Sequence, residues 1–328
     1  MLRLRTVTVI TALLSLASGA LRADPGAWPA RGSSDGSARE RRVLLIALDG
    51  VRPDALLKAK APVLKRLARE GQVTWDAQVV DTTISGPSWA GFLTGVSIAR
   101  HGVRNNRFEG HRLATTPTFF ERVRAAFPAD YLASVVAWQP FQTVLLANRG
   151  LDANLWRKDD DRVTDVAIQT LGARDPRVLL VHLDAVDKAG HDHGYGVGPG
   201  HYRAAIEVTD VRVGRILGAL KARSSRRQED WLVLVTTDHG GTGHGHASGH
   251  PTDRRIFVIA RGLGPGATEF PKRDATLFDV APTVLAFLGL AEDAWAGLEG
   301  RPLQLGAAPA SDARALAVGD DNGARLRP

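Results

Sequence analysis

A chain of 328 residues with 44% hydrophobic and 23% charged residues can bury a large core, in one big domain or two modest ones. Its formal net charge of +7 is spread along the chain without a long basic run, which argues against a nucleic-acid-binding module. With no cysteine there can be no disulfide, thiolate metal site or cysteine nucleophile, so any metal must be held by oxygen and nitrogen.

The chain opens as a secretory signal over residues 1–23: MLRLR, an apolar run from Thr6 to about Ala17, then small residues with a cleavage point after Ala20 or Ala23. The run is shorter than the roughly 20 residues of a spanning helix, so no stable membrane span is expected after cleavage. A periplasmic or secreted bacterial protein is implied. Residues 24–41, rich in Gly, Pro, Ser and charge, suit a disordered leader, and the folded part should begin at Arg42. Buried strands are predicted at Val43–Leu48, Ala133–Ala137, Val178–Leu183, Trp231–Val235 and Ile256–Ala260. Helices are predicted at Ala61–Leu67, at Thr118–Phe127 with Thr116 as cap and Pro117 as first helical residue, and at Tyr202–Leu220. A further helix follows Asp279 and stops at Gly289. The alternation implies an α/β layered fold around a largely parallel sheet. The folded domain should extend to 306, with 307–328 as a flexible tail.

Four polar clusters stand at or near predicted strand ends, where loops and helix N-termini converge in such sheets. Asp49-Gly50 ends the first strand, and a turn or capping aspartate is the plainer alternative. Ser85-Gly86-Pro87-Ser88-Trp89 precedes His101-Gly102-Val103 and Asn105-Asn106; Pro87 suits a first helical turn, placing Ser85 at a helix N-terminus. There Ser85 is either a helix cap or, beside a cation, a nucleophile. His182 to Gly194 contains Asp187 and His191, four apart, a carboxylate and an imidazole able to share one cation. Asp238-His239-Gly240-Gly241 leads into His244, His246 and His250. Seven of the ten histidines fall within the last two clusters, a concentration that packing does not account for.

Taken in order, these segments resemble the alkaline phosphatase superfamily, especially its type I phosphodiesterase and nucleotide pyrophosphatase branch, from Arg42 to about Leu303. The late FDVAPTVLAFLGL and LEGRPL stretches resemble the helix and strand that close that domain. The resemblance implies a three-layer sandwich and two divalent metal ions, zinc by ligand type. Asp49, Ser85, Asp238 and His239 would hold one metal; Asp187, His191 and His246 would hold the other, with His244 and then His250 as alternatives to His246. Ser85 would attack phosphorus to give a covalent phospho-Ser85 intermediate, and Asn106 would hydrogen-bond a phosphoryl oxygen. The expected substrate is a small-molecule phosphate ester of the phosphodiester or nucleotide pyrophosphate type.

Two departures bear on this. The branch usually carries threonine followed by Phe-Pro-Asn, whereas Ser85-Gly86-Pro87-Ser88 looks like the sulfatase signature with Trp89 in place of its arginine. Residues 107–177 are short for the insertion that shapes the leaving-group pocket, so a reduced cap is expected there, with Trp138, Trp156, Arg157 and Lys158 as substrate-contact candidates. The alternatives are a phosphomonoesterase on the same scaffold with Lys158 over the phosphoryl group, then a sulfatase, then an inactive metal-dependent binding protein.

Overall fold

A computed structural model describes residues 39–263 and 275–303. The signal expected at 1–23, residues 24–38 of the leader expected at 24–41 and the tail expected at 307–328 lie outside the described residues; Glu40 and Arg41, expected in the leader, instead open the first strand. Seven strands form one sheet: β1 (Glu40–Leu48), β2 (Gln72–Gln78), β3 (Tyr131–Val136), β4 (Ala153–Trp156), β5 (Pro176–Leu183), β6 (Glu229–Thr237) and β7 (Arg255–Leu263). The order across the sheet is β2-β7-β6-β1-β5-β3-β4. From β6 to β4 every pairing is parallel, while β7 runs antiparallel to both β6 and β2. The helices are α1 (Pro53–Lys58), α2 (Pro62–Glu70), α3 (Ser85–Thr94), α4 (Ile98–His101), α5 (Phe119–Ala126), α6 (Asp160–Ala173), α7 (Ala185–His193), α8 (His201–Lys221), α9 (Pro251–Arg254) and α10 (Val280–Leu288). No helix among the described residues is long and apolar enough to cross a membrane.

The sheet is covered on both faces, which is why β1 reads as an unbroken apolar run. Alternate residues of β1 enter opposite cores. Val43, Leu45 and Ala47 pack with Trp89 and Phe92 of α3, Phe119 and Phe120 of α5 and Val284 of α10. Leu44, Ile46 and Leu48 pack with Leu64 of α2, Val163 of α6, and Ile206 and Val213 of α8. Each such buried aliphatic side chain contributes about 1.5–3 kcal/mol, so the two cores set the three-layer order.

Several expectations change in the structure. The stretch 107–177, read as a reduced cap, instead supplies α5, β3, β4 and α6, two strands of the sheet and helices on both its faces. β2, β4, α1 and α6 were not foreseen; β4 is four residues long and none of it is fully buried, so it carries no apolar run. The cap of α5 is Thr118, not Thr116: its side chain accepts the Glu121 N–H while Glu121 accepts the Thr118 N–H, a reciprocal pair that outcompetes a start at Pro117. LEGRPL forms no strand over its described residues; it is tied to α10 by Arg301 N–H donating to Asp279 (2.7 Å) and Leu303 N–H donating to Thr283 Oγ1 (2.8 Å).

Candidate metal centre

Because β1, β5 and β6 are parallel neighbours, their C-terminal ends open on one edge. Asp49 directly follows β1, Asp238 and His239 directly follow β6, and His182 is the penultimate residue of β5. The chain turns from β5 straight into α7, whose first-turn N–H groups need acceptors. Asp160 of α6 provides them, accepting from Asp184 N (2.9 Å) and Ala185 N (3.1 Å). Asp187 and His191 then stand one turn apart on one helical face, His191 Nε2 lying 3.3 Å from Asp187 Oδ2.

Ser85 is the first residue of α3, after an extended Ile84 that makes no side-chain cap. The capping reading therefore does not hold, and Ser85 Oγ lies 3.3 Å from His239 Nε2. One turn on, the buried Trp89 donates its indole N–H to Asp49 Oδ2 (3.0 Å). Asn106 Oδ1 accepts the Gly86 N–H (2.7 Å), which keeps the Asn106 side chain at the same helix end and leaves its amide hydrogens for a ligand.

Whether these residues fit metal ions is decided by their lone pairs. His239 Nδ1 faces the Gly240 carbonyl (2.8 Å) and must carry the proton, so Nε2 presents a lone pair. That lone pair points at Asp238 Oδ2 (3.2 Å) and Asp49 Oδ1 (3.5 Å), and both oxygens are buried without a hydrogen-bond donor. The other cluster repeats the pattern. His191 Nδ1 faces the His244 carbonyl (2.9 Å) and His246 Nδ1 faces the Thr83 carbonyl (2.6 Å), so the two Nε2 atoms, 3.2 Å apart, are the ones a metal would use; without a metal, His191 Nε2 carries a proton and donates it to Asp187 Oδ2 (3.3 Å). No Lys or Arg among the described residues salt-bridges Asp49, Asp187 or Asp238. Asp49 Oδ1 and Asp238 Oδ2, buried and without a donor, converge on His239 Nε2 and call for a cation. Each carboxylate also has one oxygen already engaged, Asp49 Oδ2 by Trp89, Asp238 Oδ1 by Gly50 N–H (3.1 Å) and Asp187 Oδ1 by the Tyr195 hydroxyl. One free oxygen per carboxylate plus imidazole nitrogen fits zinc-type ligation.

Proton affinities follow the same crowding. Burial first, then the Asp238 and Asp187 charges, push Asp49 up to about 8. Asp238 is raised well above the ordinary carboxylate range, again by burial first and then by Asp187. Burial also pushes Asp187 upward, but the His191 hydrogen bond, with help from His239 and Tyr195, more than reverses it and holds it low. That bond to Asp187 raises His191 to about 9, whereas burial and then His239 lower His246 to about 4.

Asp49, Asp238 and His239 thus meet in one cluster with Ser85 against His239; Asp187 and His246 adjoin it and themselves lie within ligand distance of His239, whose ring stacks 3.7 Å from that of His246, and His191 joins them through Asp187 (3.3 Å) and His246 (3.2 Å). His244 braces the His191 carbonyl through Nδ1 (2.9 Å), and His250 accepts from Thr252 N (3.2 Å) at the start of α9. Of the four substrate-contact candidates, Trp138 lies with its ring tilted against Phe108 (5.9 Å between centres), which packs on Gly86 beside Ser85. Trp156, Arg157 and Lys158 sit at the end of the edge strand β4, with Trp156 donating to the Ala137 carbonyl (2.9 Å). The supporting roles of Trp89, His182, Tyr195 and Asp160 were not foreseen. Only His182 carried a signal, as a polar residue inside an otherwise apolar strand.

The type I phosphodiesterase/nucleotide pyrophosphatase model matches residues 43–139, and the Metalloenzyme superfamily model matches residues 141–292. The two matches together run from residue 43 to 292 and support the alkaline phosphatase superfamily. Two solved structures share its fold. Murine ectonucleotide pyrophosphatase/phosphodiesterase 5, in an inactive form with AMP, is 15% identical at a TM-score of 0.59, covering 77% of this chain and 96% of its own. A 2-O GAG sulfatase is 15% identical at 0.62, covering 80% and 73%. Among curated relatives, the 2,3-bisphosphoglycerate-independent phosphoglycerate mutase of Haloquadratum walsbyi is 31% identical over 142 residues, 41% of this chain. The chain spans 26% of that mutase's length. A bis(5'-adenosyl)-triphosphatase of Bos taurus is 25% identical over 236 residues, 65% of this chain and 50% of its own.

Proposed function

We propose that the protein is a metal-dependent phosphoric ester hydrolase of the phosphodiester or nucleotide pyrophosphate type, with Ser85 as nucleophile. The observation that carries this is Ser85 Oγ at the N-terminus of α3, 3.3 Å from His239 Nε2, the nitrogen that also faces two unpartnered carboxylate oxygens. Asp49, Ser85, Asp238 and His239 would hold one zinc ion, and Asp187, His191 and His246 a second. Bound cations would supply charge neutralisation at the phosphoryl oxygens and ease deprotonation of the serine. The chain's own groups do the rest. The α3 N-terminus favours negative charge on Ser85 and on the group it attacks. Asn106 offers its amide hydrogens to a phosphoryl oxygen, with its orientation set by Gly86. Attack of Ser85 Oγ on phosphorus expels the alcohol or phosphate and leaves phospho-Ser85, which water then cleaves.

An open cleft of about 570 Å³, lined by Thr83, Arg104, Ala247 and Arg254, adjoins the His246 loop and can receive the remainder of a substrate. Similarity to a mutase bears on the acceptor, since transfer to an alcohol would compete with transfer to water. Export through the N-terminal signal is part of the proposal, and N-terminal sequencing of the mature protein tests it. The deciding experiment is a parallel assay of para-nitrophenyl phosphate, its bis-ester, a thymidine diester and an aryl sulfate, with and without zinc. Preferential, zinc-dependent cleavage of the diesters is expected. A preference for the sulfate ester, or no turnover of any ester, would overturn the reading.

A further inference from the structure

Asp49, His182 and Asp184 offer ligand atoms close enough together to hold a cation of their own. Their hydrogen bonds argue otherwise. Trp89 Nε1, a group that can only donate, lies 3.0 Å from Asp49 Oδ2. His182 Nε2 lies 3.1 Å from the same oxygen. The other His182 nitrogen, Nδ1, is buried and unpartnered, so the favourable tautomer carries its proton on Nε2 and donates it to Asp49. Lys188 Nζ meanwhile pairs with Asp184 Oδ2 at 2.7 Å. The trio is therefore supplied with its positive partners from the chain itself.

We propose that Trp89 and His182 are a pair of positioning residues that occupy Asp49 Oδ2 and commit Asp49 to a single cation through Oδ1. Two donors on one oxygen stop the carboxylate from turning over, and they leave as the free acceptor the oxygen that faces His239 and Asp238. Both donors are rigidly placed. Trp89 is fully buried against Phe92, Phe141 and His182, with ring centres 5.2, 5.5 and 5.2 Å away, and His182 is held within β5 between β1 and β3. The Trp89 position is where the sulfatase-like signature would carry arginine. Here that side chain turns inward to a carboxylate that, on the reading above, is a metal ligand. The proposal rests on that reading, and the experiment separates the two.

The test is zinc titration of the full chain by calorimetry, with absorption spectra of the cobalt-substituted protein. The wild type should bind two ions. Trp89→Phe keeps an aromatic ring in place but removes a donor, and it should weaken one ion about 10–100-fold while the other keeps its affinity. The absorption of one cobalt site alone should change. His182→Leu should do the same, and His182→Gln, which restores an N–H, should recover most of the loss. If Trp89→Phe does not fold, the comparison of His182→Gln with His182→Leu carries the same decision. Wild-type affinity for both ions in Trp89→Phe and His182→Leu would overturn the proposal by reducing the pair to core packing. A third ion bound by the wild type would overturn it by opening Oδ2 to a cation. Failure of the wild type to bind any ion would instead refute the metal centre on which it rests.

Discussion

Gly50 presses against Asp187 where the two ligand clusters adjoin. Its φ of +65° lies in the left-handed region, which costs a residue with a Cβ about 1–2 kcal/mol. A Cβ there would fall 2.9 Å from both Cα and Cβ of Asp187 and closer still to its Oδ1. Relief requires α7 to move away from the end of β1, because part of the obstacle is backbone, and such overpacking costs about 1–3 kcal/mol more. Gly50→Ala should therefore lose about 2–5 kcal/mol, on the order of 5–15 °C in melting temperature for a domain of this size. The same movement separates Asp49 and Asp238 from Asp187 and His191, and a displacement of about 1 Å can lower turnover on the order of 100-fold. Thermal melting and diester turnover of the zinc-loaded variant measure both effects. A variant that melts with the wild type and turns over at the wild-type rate would refute the contact between Gly50 and Asp187 and the coupling drawn from it.

Ser85→Ala should lower turnover by about three orders of magnitude or more, with two zinc ions still detected by metal analysis; unchanged turnover would remove Ser85 from the chemistry. Tyr195→Phe removes the hydroxyl that engages Asp187 Oδ1, and should weaken zinc at the Asp187 cluster about 10–100-fold in a calorimetric titration. Zinc affinity should rise with pH, because the ion must displace protons from Asp49, raised to about 8, and His191, raised to about 9. Both pKa values are raised above their unfolded values, so between pH 6.5 and 9 the folded metal-free protein holds protons that the unfolded chain has lost. Its stability from these groups should then fall as pH rises through that window, which melting of the chelator-treated protein at pH 6.5, 7.5 and 8.5 checks.

Much of the site was legible because its residues follow strands that announce themselves. Val43–Leu48 and Leu232–Val235 are apolar on both faces, so Asp49 stands out as the first polar residue beyond the one, and Asp238 and His239 as the first ionisable residues beyond the other. The i, i+4 spacing of Asp187 and His191 likewise survives as a shared helical face. The edge of the fold was less legible. β4 and β2 are only partly buried, and their residues follow no strict alternation. The same weakness turned residues 107–177 into an expected cap, because the apolar run at β3 was visible while its partner β4 was not. The supporting contacts were hidden for another reason. That Trp89 and Tyr195 each serve a carboxylate depends on where two side chains meet in space, and nothing in their own neighbourhoods distinguishes them from core aromatics.

The centre is also built from parts of the chain that meet late. Gly50 and Asp238 are 188 residues apart in sequence, and Ser85 and His239 are 154 apart. No short fragment contains a complete set of ligands, so a cation finds its full coordination only once β1, β5 and β6 lie side by side. Such an ion cannot seed collapse in the way that metals do in small domains whose ligands are close in sequence. It should act instead as a latch on the finished sheet, slowing escape from the native state while leaving the rate of reaching it almost unchanged.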